Sequence, residues 1–220
     1  MSDHAALMDR VYRHQRYIYD FTRKYYLFGR DRLIADLRLK PNARVIEIGC
    51  GTSRNLIKIG QAYPTARLFG LDASAEMLVT SSKAIARAGL GARTKLVQAY
   101  AEDLTPALFG EQEPFDAAVF SYSLSMIPDW KQALKAAQGA LAPGGQIHVV
   151  DFGDLKGLGR VGEQVLRRWL ALFHVAPRED LLKTLERGGQ GRLSLLAGRY
   201  AFIWTADERE NIWLRDLPAA

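Results

Sequence analysis

One cysteine, Cys50, is all the thiol chemistry the chain owns, which excludes an intrachain disulfide framework and a thiolate cluster for a structural metal. No apolar run approaches the roughly 18 residues of a membrane span, and the first twenty residues, MSDHAALMDRVYRHQRYIYD, hold no unbroken apolar core. The expectation is a cytoplasmic protein, free or peripherally bound to a membrane. No cluster of side chains has the spacing of metal ligands. Internal repeats and low-complexity tracts are also missing.

What is present suffices for one large domain: 220 residues, 24.6 kDa, with 48% apolar side chains to fill a core. A net charge of +6 and a pI near 9.5 favour a negative partner, whether nucleic acid, an anionic membrane surface or an acidic small molecule. The charge is concentrated. Arg10, Arg13, Arg16, Arg23, Lys24, Arg30 and Arg32 crowd the N-terminal segment, and Arg160, Arg167 and Arg168 form a later patch.

Short β-rich runs alternate with helical patterns through the middle of the chain. The runs are RVIEIG (44–49), RLFGLD (67–72), TKLVQA (94–99), DAAVFSYS (116–123) and QIHVVDF (146–152). Between them SRNLIKIGQAY, SAEMLVTSSKAIARAG and DWKQALKAAQGAL carry apolar residues at helical spacing. Such alternation predicts a parallel sheet covered on both faces. Ser74 is a predicted helix cap, Gly89 a helix end, and Pro143-Gly144-Gly145 a turn before the fifth strand. Past Asp151 two helices, 161–175 and 178–188, precede RLSLL and RYAFIWTA, which read as an antiparallel hairpin around Ala197-Gly198-Arg199.

The strongest motif is VIEIGCGTSRN (45–55), a buried strand running into Gly49-x-Gly51 with a helix just after and Ser53 as its expected cap. Glycines there let the chain turn sharply and let a ligand approach more closely than a Cβ would permit. A pyrophosphate-binding loop wants a third glycine where this chain has Arg54, and Glu47 would repel a pyrophosphate but attract a cationic ligand. The pattern E-x-G-x-G resembles motif I of the Rossmann-like S-adenosylmethionine-dependent methyltransferases. That resemblance implies an α/β fold with a mostly parallel seven-stranded sheet, an antiparallel C-terminal hairpin, helices on both faces and an N-terminal helical lid. It implies S-adenosylmethionine as cofactor, held by Glu47, Gly49, Cys50 and Gly51 of the loop. Further along, Asp72 and Ala73 would reach the ribose, Met77 would pack on adenine, and Glu102 with Asp103 would lie near the adenine amino group. Ser121 would face the cofactor from the end of the fourth strand. Taken alone, Asp72 also reads as a helix cap.

Acceptor specificity points back to the N-terminus, where five of the nine tyrosines fall within YRHQRYIYDFTRKYY (12–26). As one helix over 5–26, Leu7, Val11, Ile18 and Tyr25 would share a stripe beside one made by Tyr12, Tyr19 and Tyr26. The run 8–34, the glycine loop and LALFHVAPRE (170–179) together resemble the BtaB-type N-methyltransferases of betaine-lipid synthesis, over nearly the whole chain. That resemblance implies trimethylation of the amine of diacylglycerylhomoserine, with Tyr19, Tyr25, Tyr122 and Asp151 around the amine. Arg23 or Arg30 would meet the homoserine carboxylate, and His174 would lie on the acceptor side. It also implies a lipid substrate, an anionic membrane surface, no nucleic-acid partner, and a functional association with the enzyme that makes diacylglycerylhomoserine. In this reading residues 1–220 are one domain: lid and acceptor segment 1–40, cofactor core 41–155, acceptor-side helices and hairpin 156–220.

Plainer readings stand beside these. Tyr25 can be core, Asp151 a loop cap, and His148 packing inside the fifth strand. The stretch 160–175 is either an interfacial helix or a core helix with a basic edge. A phosphatidylethanolamine or small-molecule amine acceptor uses the same chemistry, and a scaffold that binds cofactor or membrane without turnover is the non-enzyme alternative. Nucleic-acid methylation is disfavoured because FSYSLSMIPDW lacks the Asn/Asp-Pro-Pro-aromatic run typical of enzymes that methylate base amino groups.

Overall fold

The computed structural model describes residues 27–171, 177–187 and 191–207. The predicted N-terminal helix, with its tyrosine stripe, lies outside them. Seven strands form one sheet: β1 (Arg44–Ile48), β2 (Arg67–Asp72), β3 (Thr94–Gln98), β4 (Phe115–Ser121), β5 (Leu141–Phe152), β6 (Arg192–Leu196) and β7 (Ala201–Asp207). Their order is β3-β2-β1-β4-β5-β7-β6. The first five pair in parallel, while β7 runs antiparallel to both β5 and β6. The apolar runs and the terminal hairpin thus become strands where the sequence predicts them.

Helices cover both faces: α1 (Arg30–Ala35), α2 (Arg54–Ala62), α3 (Ala75–Arg87), α4 (Trp130–Gly139), α5 (Gly159–Ala171) and α6 (Glu179–Arg187). On one face Leu134 and Ala137 of α4 and Leu181, Leu182 and Leu185 of α6 pack on Ile46, Phe120 and Trp204 of the sheet. On the other, Leu33 of α1, Leu56 and Ile59 of α2, Ile85 of α3 and Leu170 of α5 pack on Val45, Leu68, Val119 and Val150. Alternate residues of each central strand feed opposite clusters, which is why these strands read as continuous apolar runs.

The local signals act mostly as their chemistry dictates. Ser74 caps α3 by accepting from the Met77 amide at 3.3 Å, and Gly89, at φ +71°, follows the helix end. Two expectations need correction. Ser53 does not cap α2: it sits at φ 63° and its hydroxyl bonds to that of Ser81, tying α2 to α3 instead. Pro143-Gly144-Gly145 is no turn ahead of β5 but an excursion within it. Between the pairs Phe115↔Leu141 and Ala117↔Gln146 one residue of β4 stands opposite four of β5, and Gly144 takes the positive φ this bulge needs.

At the strands' N-terminal end, Glu111 gathers Arg44 at 2.9 Å, Arg67 at 2.8 Å and Lys95 at 2.7 Å. These cations pull the Glu111 carboxyl down to about 2, with the Lys95 hydrogen bond the largest cause. The opposite end, where β1 to β4 finish, holds the candidate site. On α5, Leu166, Trp169 and Leu170 face the core while Val165 and Arg168 are exposed. Among the described residues no helix is long and apolar enough to cross a membrane.

Candidate functional site

Strand order reverses between β1 and β4, because β2 and β3 lie to one side and β5 to the other. Ligands of open α/β sheets bind outside the carboxyl ends of strands at such a switch point. A cavity of about 100 Å³ opens there, walled by Gly49, Gly51, Leu71, Asp72, Ala73, Met77, Ala99, Tyr100, Ala101, Glu102, Tyr122, Met126, Ile127 and Pro128.

The glycine loop forms the floor. The amides of Gly49 and Cys50 both donate to the Leu71 carbonyl, at 2.8 and 3.0 Å, turning the chain out of β1 across the end of β2. Gly49 has φ +71°, and a Cβ there would lie 2.6 Å from Cβ of Ser123, so only glycine fits. Asp72 organises the next turn. One of its oxygens accepts from the Gly51 amide at 2.7 Å and the other from the Ser74 amide at 2.9 Å, which fixes both carboxylate oxygens where Asp72 lines the cavity. Those are the acceptors a pair of vicinal hydroxyls requires. Met77, Leu71, Ala99, Ala101 and Ile127 supply an apolar slot for a flat ring, and Glu102 provides a second acceptor at its edge.

Tyr122 closes the side toward β5. It holds φ +56°, a left-handed conformation costly for an aromatic residue, and its hydroxyl donates to the Phe28 carbonyl at 2.7 Å. Burial holds its phenol neutral by raising the pKa well above the usual value.

Glu47, Cys50, Asp103, Ser121 and Asp151 do not line the cavity. Glu47 lies buried beneath the loop, where Oε1 accepts from Asn55 Nδ2 at 2.8 Å. Its Oε2 meets no hydrogen bond of ordinary geometry, although the Leu56 amide is near enough to favour the charge. Desolvation raises Glu47 to about 7, against the opposing pull of Asn55, Leu56 and Arg30. Cys50 points into the core beside Gly70, where burial pushes its thiol up and out of reach of nucleophilic chemistry. Ser121 is buried, and Asp103 is exposed beyond the rim. Asp151, buried at 0% exposure, accepts from the Ser125 amide at 3.0 Å and the Phe152 amide at 2.8 Å, and desolvation lifts it to about 6.

Arg30 is half-buried, donates to the Leu27 carbonyl at 3.3 Å, and acts electrostatically on both Glu47 and Tyr122. Tyr19, Arg23, Tyr25 and His174 lie outside the described residues. His148 bonds through Nδ1 to the Thr205 hydroxyl at 3.2 Å inside the sheet and is lowered to about 4 by burial. Sequence reasoning missed Tyr100 and the wall 126–128. The first directly follows QA at the end of the third strand and the second is the MIP run after the fourth, so position relative to strand ends was the available signal.

A second cavity, of about 380 Å³ and wholly apolar, is lined by Phe28, Leu158, Leu166, Trp169, Ala197 and Tyr200. A ladder of edge-to-face rings joins it to Tyr122: Tyr122 to Phe152 at 4.7 Å, Phe152 to Tyr200 at 5.8 Å and Tyr200 to Phe28 at 5.4 Å.

Comparison with known proteins agrees with this geometry. Residues 45–145 match the family model described as a methyltransferase domain. The chain is 26% identical over 140 residues to the ubiquinone/menaquinone biosynthesis C-methyltransferase UbiE of Geotalea daltonii, covering 61% of this chain and 58% of that protein. It is 30% identical over 188 residues to the trans-aconitate 2-methyltransferase of Variovorax paradoxus, covering 82% and 63%. It thus spans less than two thirds of either curated relative. In fold it resembles a SAM-dependent methyltransferase from Aquifex aeolicus, with a TM-score of 0.61 at 14% identity, over 84% of this chain and 92% of that one.

Proposed function

We propose that this chain, whose residues 45–145 match a methyltransferase domain, takes S-adenosylmethionine as cofactor and methylates the amine of diacylglycerylhomoserine to the trimethylated betaine lipid. The observation that carries methyl transfer is the switch-point cavity itself, where Gly49, Gly51, Asp72, Met77 and Glu102 offer a tight loop, hydroxyl acceptors and an apolar slot in one place. These residues fit the cofactor: Asp72 for ribose hydroxyls, Met77 and Leu71 for adenine, and the Gly49–Gly51 loop for the amino-acid tail. When bound it supplies a methyl on a positively charged sulfur that departs as a neutral thioether.

The chain's own part is alignment. The chain would have to hold the amine in line with the methyl and with its lone pair free; the cofactor would supply the methyl and leave as a neutral thioether, and the N–H proton of each of the first two transfers would pass to solvent. In this reading Tyr122 orients that amine by accepting its N–H. Its ring can still hold the nitrogen after the last N–H has gone, through cation–π attraction of about 0.5–2 kcal/mol. Arg30, which acts electrostatically on Tyr122, is assigned in this reading to the homoserine carboxylate, with Tyr19, Tyr25, Arg23 and His174 as the remaining acceptor-side residues of the proposal.

The lipid acceptor rests on the resemblance of the run 8–34 and of 170–179. The apolar cavity that the ring ladder joins to Tyr122 supports it by offering room for an acyl chain. Exposed Val165 and Arg168 on α5 suit peripheral docking on an anionic inner membrane face. A second reading, C-methylation in quinone biosynthesis, is suggested by the similarity to the Geotalea C-methyltransferase. A panel of diacylglycerylhomoserine, phosphatidylethanolamine, a demethylated quinone and soluble amines, each with S-adenosylmethionine and read by product mass, separates these. Turnover of the first alone supports the betaine-lipid reading. Turnover of another acceptor, with none of the first, removes it while keeping the methyltransferase.

A further inference from the structure

The outer wall of the cofactor cavity, residues 123–128, belongs to no helix or strand, yet Met126, Ile127 and Pro128 contribute to the lining. A wall without ladder hydrogen bonds must find partners elsewhere for its backbone groups. Some are local: the amides of Met126 and Ile127 both donate to the Ser123 carbonyl at 3.0 Å. The others come from far along the chain. Asp151, at the end of β5, takes the Ser125 amide at 3.0 Å. Arg178, just before α6, donates from Nε to the Ser125 carbonyl at 3.3 Å and from Nη2 to the Ile127 carbonyl at 3.0 Å. Next to the wall, Trp130 Nε1 donates to Asp180 at 3.1 Å, a second tie to the same end of α6.

We propose that Arg178 is a positioning residue for the cofactor site: with Asp151 it clamps Ser125 by both backbone groups, so that the start of α6 sets how tightly the cavity grips its ligand. The guanidinium suits the task because its planar fork reaches two carbonyls at once, which a lysine ammonium on a single point cannot do in fixed geometry. The charge of Arg178 also acts on the Asp151 carboxylate, so the two ends of the clamp favour each other. Arg178 touches no cavity surface itself, which makes it a support and not a catalytic residue. The same end of α6 is held to α5 through Arg167 and Glu179 at 2.9 Å, so the clamp links the cofactor wall to the helices proposed to meet the acceptor.

The inference rests on the cavity being a cofactor site, and its test keeps the two apart. Binding of S-adenosylhomocysteine is measured by calorimetry for the full chain and for Arg178→Ala, Arg178→Lys, Asp180→Ala and, as an exposed control on α6, Arg187→Ala. Absence of binding by the unaltered chain would refute the cofactor site itself. If it binds, Arg178→Ala is expected to weaken binding about tenfold or more, with Arg178→Lys intermediate and Arg187→Ala unchanged. In turnover the cofactor KM should rise by more than kcat falls. Should Arg178→Ala fail to fold, the lysine and Asp180→Ala variants carry the test, each expected to loosen binding measurably. Folded variants that bind like the unaltered chain, or that lose thermal stability with no change in binding, would overturn the clamp.

Discussion

Glu47 is the most informative residue to perturb, because its environment penalises the charge that its position beneath the glycine loop invites. Its carboxyl rises from an ordinary 4.5 to about 7, chiefly by desolvation. Between those values the folded state holds a proton that the unfolded chain has released. Stability therefore falls as pH rises across this window, by about 3 kcal/mol once both states are ionised near pH 8. Glu47→Gln removes the charge, keeps an oxygen for Asn55, and places an amide near the Oε2 position, at a cost of about 1 kcal/mol. At pH 8 the variant should be more stable by about 2 kcal/mol, roughly 4–8 °C in melting temperature for a chain of this size. Near pH 5 it should be no more stable than the unaltered protein. Asp151 shifts stability in the same direction between 3.8 and about 6, and His148 in the opposite one between about 4 and 6.5. Both are common to the two proteins, so subtracting their melting curves at each pH isolates Glu47. Cofactor binding should move the other way, since a cationic ligand gains from the carboxylate. Parallel pH profiles for the two proteins, with no divergence between pH 5 and 8, would refute the reasoning.

Other perturbations test other parts of the site. Gly49→Ala places a Cβ 2.6 Å from Ser123 at a positive φ, and should cost about 1–3 kcal/mol in urea unfolding and abolish binding of S-adenosylhomocysteine by calorimetry. Tyr122→Phe loses the bond to the Phe28 carbonyl and the acceptor-orienting oxygen; stability should drop by about 1 kcal/mol while kcat falls at least tenfold and cofactor affinity changes little. Asp72→Ala removes the carboxylate that fixes the Gly51 and Ser74 amides, and should raise the cofactor KM by more than it lowers kcat. Glu111 is depressed to about 2, so its contribution to stability is present above 4.5 and lost as pH falls toward 2; Glu111→Gln should remove that acid limb from the melting profile.

The sheet was legible because its central strands are buried on both faces and so appear as short, mostly apolar runs between helical patterns. The glycine loop was legible because an acidic strand end before Gly49 and Gly51 is chemically unusual. Gly49, Gly51, Asp72, Ala73, Met77, Glu102 and Tyr122 meet in one cavity since each follows or ends a parallel strand. What escaped the sequence depends on direction and distance. Nothing local says that Cys50 turns inward to Gly70, or that Ser53 bonds to Ser81 instead of capping its helix. Pro143-Gly144-Gly145 has turn chemistry, and only its pairing with β4 makes it a bulge. The wall at 126–128 reads as loop, and its support by Arg178 spans 51 and 53 residues of sequence.

The most direct test of the account is to incubate the purified chain with S-adenosylmethionine and diacylglycerylhomoserine in mixed micelles and to follow the mass of the lipid over time. The expected products carry one, two and finally three added methyl groups, the trimethyl form accumulating at the end. A lipid that gains no methyl group, from protein that binds S-adenosylhomocysteine and methylates a different acceptor, would contradict the assignment.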